Sequence, residues 1–110
     1  MPPDPHLLEF VRRFNRGEFF DAHEVLEELW QEYDGPDRTA YQGLIQIAVA
    51  LEHLRRGNRK GARGVLASAR RRLAPHLPEA LGVHLETLLR EAACAIDDDG
   101  PIPRLEAPGG

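Results

Sequence analysis

His23 and Glu27 stand four residues apart in the stretch HEVLEELW, the spacing at which two side chains lie one above the other on a helix. An imidazole and a carboxylate placed this way can share one divalent metal ion. They can also hydrogen-bond, so that the carboxylate fixes the ring's tautomer and raises its basicity. On a helical wheel Phe19, Ala22, Leu26, Trp30 and Tyr33 form the inward arc, with His23 inside it and Glu27 on its edge, while Glu24, Glu28, Gln31 and Glu32 point outward. A matching stripe follows in the next helical segment. Gln42, Gln46 and His53 fall within about 40° of one another on a wheel that is otherwise apolar. Each polar group left unsatisfied in a core costs about 1–3 kcal/mol, so this stripe needs partners. His23, Glu27 and the Trp30 indole N–H are the ones expected. The candidate polar cluster is therefore His23, Glu24, Glu27, Trp30, Gln42, Gln46 and His53, with helix two facing helix three.

Such a cluster has a structural use, as a hydrogen-bond network that fixes helix register, and two functional ones. It can line a pocket for a small ligand or a partner protein. Alternatively, His23, Glu27 and His53 can hold zinc or iron with solvent completing the sphere, as in a metalloprotein or a metal-dependent hydrolase. The second histidine of H-E-x-x-H is missing, and neither a glycine-rich phosphate loop nor a G-x-S-x-G elbow occurs, so no catalytic residue is assigned. Cys94 reads as a small filler on the inner side of the last helix, and His6, His76 and His84 as surface residues near helix ends or on outer faces.

The elements that must position these residues are helical. Asp4 and Pro5 can open a first helix that Gly17 stops, and a second runs from about Glu18 to Tyr33 before Asp34-Gly35-Pro36 turns the chain. Thr39-Ala40-Tyr41-Gln42 reads as a capping box for the third, which Gly57 closes, and Asn58 caps a fourth that Pro75 breaks. Pro78 is expected in the first turn of a fifth helix with the stripe Leu81, Leu85, Leu88, Leu89, Ala92 and Ile96. The third segment, residues 41–56, is apolar around most of its circumference and is expected to be the buried central helix. Sliding the chain by 40 residues lays Arg16-Gly17 on Arg56-Gly57, Ala22 on Ala62 and Val25-Leu26 on Val65-Leu66, which suggests a repeated helical hairpin. The expected fold is all-α: a bundle of about five helices, two hairpins plus a closing helix, over residues 1–96. Residues 97–110 form an irregular tail that lays Ile102 and Leu105 on the bundle surface.

With 110 residues the chain suits one domain, and its net charge of −4 conceals a strong segregation. Residues 1–37 carry ten acids and three bases, residues 38–78 one acid and nine bases, and residues 79–110 seven acids and two bases. Attraction between these segments is the reading preferred to a nucleic-acid patch. The patch would comprise Arg59, Arg63, Arg70 and Arg71 of helix four, but the chain as a whole is acidic and no aromatics interleave with them. The run is expected instead to be solvated, or to pair with Glu24, Glu28 and Glu32. No stretch is long enough to span a membrane, and a lone cysteine without a visible secretory signal points to a reducing cytoplasm. The arginine-rich composition points to a GC-rich source, such as a thermophile.

Three blocks, FNRGEFFDAHEVLEELW (14–30), YQGLIQIAVALEH (41–53) and GNRKGA (57–62), resemble the family called domain of unknown function 309. That resemblance implies a small helical bundle with a buried central helix and brings no catalytic role with it. Together with the residues themselves it points to a non-enzymatic binding module, monomeric or homodimeric, whose partner is a protein or a small molecule.

Overall fold

The computed structural model describes residues 3–108. Asp4 accepts the His6 N–H at 2.8 Å and Pro5 occupies the first turn, which together start α1 (Pro5–Asn15). Its apolar stripe, Leu7, Phe10, Val11 and Phe14, is buried. The chain turns at Gly17 (φ 77°), where the Gly17 N–H bonds to the Phe14 carbonyl and the Glu18 N–H to that of Arg13. This is the left-handed glycine cap that closes a helix by satisfying its last carbonyls. The turn leads into α2 (Phe19–Glu32).

Forty residues further on the same turn recurs. Gly57 (φ 82°) bonds to the Leu54 carbonyl and Asn58 to that of His53, between α3 (Arg38–Arg55) and α4 (Arg59–Leu73). Ala22 and Ala62, both fully buried, hold equivalent places one turn into the second helix of each hairpin. The offset seen in the sequence is thus realised as two hairpins of like local geometry. Asn58 caps α4 as expected, its Oδ1 accepting the Gly61 N–H at 2.9 Å.

The third helix is the central one. Ten of its eighteen residues are buried, distributed around most of the circumference. It packs against α2, α4 and α5 (Leu85–Asp98). The approach of α4 to α3 is set at Gly43, where an added Cβ would run into the Leu73 side chain, and Ala40, Ala48 and Ala50 of α3 and Ala62 and Ala69 of α4 are fully buried.

Three sequence expectations are corrected. Thr39 does not cap α3, which starts at Arg38 after an Asp37 that makes no side-chain cap bond. The Thr39 hydroxyl instead meets His76 Nε2 at 2.6 Å, tying the start of α3 to the 3-10 turn Ala74–His76. Helix five does not begin near Pro78. Two short antiparallel strands, β1 (Glu79–Ala80) and β2 (Val83–His84), intervene, joined through Leu81 (φ 59°) and Gly82 (φ 72°). Two successive left-handed residues are what a two-residue hairpin turn requires. His84 then caps α5 by accepting the Thr87 N–H, so Leu81 lies outside the helix whose stripe it was expected to start. Finally, Cys94 is exposed rather than on the inner side of α5.

The charge segregation is partly resolved by pairing between segments. Arg59 meets Asp99 at 2.7 Å and Arg63 meets Asp97 at 2.8 Å, both joining α4 to the end of α5. Among the described residues, Glu24, Glu28 and Glu32 make no ion pair with the helix-four arginines or with any other base. Beyond α5 the chain is irregular, with Leu105 buried and Ile102 exposed.

Gly43→Ala is expected to destabilise the protein by about 1–3 kcal/mol, because the new methyl must displace Leu73 from a filled core. Gly64→Ala on α4, where a Cβ meets open space, should instead stabilise by about 0.5–1 kcal/mol. Paired urea denaturation curves check both signs.

Candidate functional site

The expected cluster divides into two parts. On α2, His23 Nδ1 lies 3.1 Å from the Phe20 carbonyl and Nε2 lies 3.0 Å from Glu27 Oε2, so the i, i+4 pair forms. Its side chains are 21% and 39% exposed, which puts the pair at a rim and not deep inside. The reason is its place on the helix: Phe19, Ala22 and Leu26 take the core-facing line, and His23 lies one residue round from it. Glu24 is fully on the outer side.

The stripe on α3 finds its partners on the other hairpin helix. Gln46 Nε2 donates to Ser68 Oγ of α4 at 3.0 Å, and Asn58 Nδ2 donates to His53 Nδ1 at 3.2 Å. Gln42 is half-buried. The expected bonds from the glutamines to His23, Glu27 and Trp30 are not made among the described residues. Gln46 Oε1 and Trp30 Nε1 are both buried without a hydrogen-bond partner. The Trp30 ring is covered by the Arg38 guanidinium, 4.3 Å from its centroid, while Arg38 also donates to the Trp30 and Tyr33 carbonyls at 2.7 and 2.6 Å and so closes the end of α2.

His23 and His53 do meet across one feature, a groove of about 260 Å³ between the start of α2 and the end of α3. Its apolar lining is Phe19, Phe20 and Val49, and its polar lining is His23, Glu52, His53 and Arg56. Phe20 stands at the mouth with half its surface exposed, its ring edge-on to His23 with centroids 5.4 Å apart. Among the described residues no three His, Cys, Asp or Glu side chains are grouped so as to hold a metal ion, so His23, Glu27 and His53 are not drawn into one coordination set.

Glu52 is the groove-lining residue that sequence reasoning missed. It is the one buried charged side chain among the described residues, and it sits in the last turn of α3, where the helix dipole disfavours a carboxylate. Two arginines compensate: Arg55 donates through Nε and Nη2 at 2.9 and 2.7 Å, and Arg56 through Nε at 2.7 Å. The Arg55 hydrogen bonds, reinforced by Arg56 and opposed by burial, hold the Glu52 carboxyl below the usual carboxylate range. A signal was present in the sequence, since Glu52 is the only acid between residues 38 and 78 and has arginines three and four residues on.

Of the helix-four arginines, Arg59 and Arg63 are engaged with Asp99 and Asp97, while Arg70 and Arg71 are exposed in the last turn.

These features define a small all-helical bundle with a part-apolar groove between its two hairpins. The chain belongs to the DUF309 family, a domain of unknown function whose family model matches residues 7–65. It is 46% identical over 70 residues to the uncharacterized protein YpuF of Bacillus subtilis, a match covering 63% of this chain and 40% of that one. An uncharacterized protein of Aquifex aeolicus is 36% identical over 64 residues, covering 57% of this chain and 19% of its own. The chain thus spans less than half the length of these two relatives. Among solved structures, a conserved hypothetical protein from Thermus thermophilus is similar at a TM-score of 0.72 and 33% identity, covering 87% of this chain and 98% of that one. No helix of the described residues is long and apolar enough to cross a membrane.

Because the folded state lowers the Glu52 pKa, its contribution to stability is present above the ordinary carboxylate range and is lost as the pH falls through and below it. Glu52→Gln is expected to cost about 1–3 kcal/mol at neutral pH and to flatten the acid limb of the stability profile. Urea unfolding of both proteins at about pH 7 and about pH 3 checks this, with a difference that shrinks at the lower pH.

Proposed function

We propose that this chain is a non-enzymatic recognition module of the cytoplasm, and that the groove between α2 and α3 accepts an apolar side chain from a basic peptide segment of a partner protein. The half-exposed Phe20 at the mouth of the groove carries this reading. Each polar side chain that lines the groove has at least one partner inside the protein: His23 has Glu27 and the Phe20 carbonyl, Glu52 and Arg56 have each other, and His53 has Asn58. What the groove still offers is apolar surface, and covering an aromatic ring of this size is favourable by about 1–2 kcal/mol even when half of it is already buried.

Charge supports the basic character of the partner. Beyond Phe20 the exposed side of α2 presents Glu24, Glu28 and Glu32, none of them paired among the described residues, in the segment that holds ten acids against three bases. A peptide anchored at Phe20 would run past this acidic face, which steers a basic chain toward the groove. Such helix-and-groove recognition uses one or two apolar anchors flanked by charge.

A synthetic amphipathic peptide of leucine and lysine provides the probe. It is expected to shift the NMR signals of Phe20, His23, Val49 and His53, and to bind at least about tenfold more weakly to Phe20→Glu, which should remain folded with a melting temperature lowered by roughly 4–8 °C for the buried half of the ring. An equally strong response from Phe20→Glu, or shifts located elsewhere, overturns the reading.

A further inference from the structure

A second cavity of about 380 Å³ lies between the Gly17 turn, the end of α3 and residues 102–104, and it differs from the α2–α3 groove in having arginines outside any ion pair among the described residues. Its floor is Phe14 and Leu51, its sides are Leu54, Ile102 and Pro103, and Arg16, Arg55 and Arg104 stand around it. One wall is therefore the C-terminal tail. That wall is fastened by Asn15, whose Nδ2 donates to the Leu105 carbonyl and whose Oδ1 accepts the Leu105 N–H, both at 2.8 Å. An amide side chain satisfying both backbone groups of one extended residue fixes its position, and Leu105 is buried beneath it.

The neighbouring helix ends account for the arginines only in part: Arg104 donates to the carbonyl of Asn15, the last residue of α1. The Phe14 and Arg13 carbonyls of α1 are satisfied by the backbone N–H groups of Gly17 and Glu18, and the Leu54 and His53 carbonyls of α3 by those of Gly57 and Asn58. Arg55 is engaged with Glu52. Among the described residues, neither Arg16 nor Arg104 has a carboxylate partner, and Arg104 reaches only the Asn15 carbonyl at 3.4 Å. Glu9 is within electrostatic reach of Arg16, and Glu91 and Glu106 line neighbouring cavities with Arg104, but among the described residues neither guanidinium group beside this apolar cavity is held in an ion pair. A guanidinium fork suits a carboxylate head, and the cavity falls within the roughly 300–1,000 Å³ range of small-molecule sites.

We propose that this cavity binds an organic anion with an apolar body, of the medium-chain carboxylate class. The acid head lies between Arg16 and Arg104, and the chain runs over Phe14 and Leu54 against Ile102. Asn15 acts as a positioning residue, since by holding Leu105 it keeps Arg104 and Ile102 at the cavity. This site is separate from the Phe20 groove, and its fate does not depend on the peptide reading.

The test titrates the intact protein with decanoate below its micelle threshold, alongside decanol and acetate, followed by calorimetry and by methyl NMR. Decanoate is expected to saturate one site with shifts at Leu54 and Ile102. Decanol should bind about tenfold more weakly, and acetate should show no saturation. Arg16→Gln and Arg104→Gln, both at exposed positions, should each weaken decanoate severalfold, and together should bring it to the level of decanol. Ile102→Asp should weaken decanoate and decanol alike. Equal binding of decanoate and decanol, shifts confined to Phe20, His23 and Val49, or full decanoate affinity in the double arginine variant would each overturn the proposal.

Discussion

Everything in this molecule is arranged around the need to bury α3. A helix with apolar residues around most of its circumference has almost no face it can leave to water, so neighbours must cover it from several directions at once. Close cover requires small residues at the contacts, and α3 and α4 supply them: glycine at position 43 beneath Leu73, and alanines at 40, 48, 50, 62 and 69. Helices α2, α4 and α5 provide that cover. The same demand explains Glu52. Where the apolar surface runs out, in the final turn, the chain places a carboxylate inside the boundary and makes it tolerable with two guanidinium groups from the residues that follow.

The central helix also decides how the polar residues are shared out. Its glutamine and histidine stripe bonds toward α4, through Ser68 and Asn58, while the histidine–glutamate pair of α2 stays at a rim. Only His53 belongs to both environments, since it bonds to Asn58 on one side and lines the groove with His23 on the other. The result is a groove in which each polar side chain is held by at least one internal bond and Phe20 stands half-exposed at the mouth.

Much of the fold was legible because its signals are local. Gly17 and Gly57 stop helices through a conformation that other residues adopt with difficulty, Asn58 caps through its own amide, and the 40-residue offset shows itself in matching turns. The hairpin at 79–84 was not legible. Leu81, Leu85, Leu88 and Leu89 continue a helical spacing without interruption, and nothing in that pattern announces that Leu81 takes a left-handed conformation. The site was legible only in part, for a different reason. The i, i+4 relation of His23 and Glu27 is a property of one helix, whereas the partner of Gln46 depends on how two helices cross, which the wheel does not encode.

The tie between Asn15 and Leu105 joins residues 90 apart in sequence, while most other contacts link adjoining helices. Contacts between near neighbours form early and cheaply in a growing chain, and loops of great length close last. The tie at Asn15 therefore closes a far longer loop than the glycine turns at positions 17 and 57 do, and its closure costs more chain entropy.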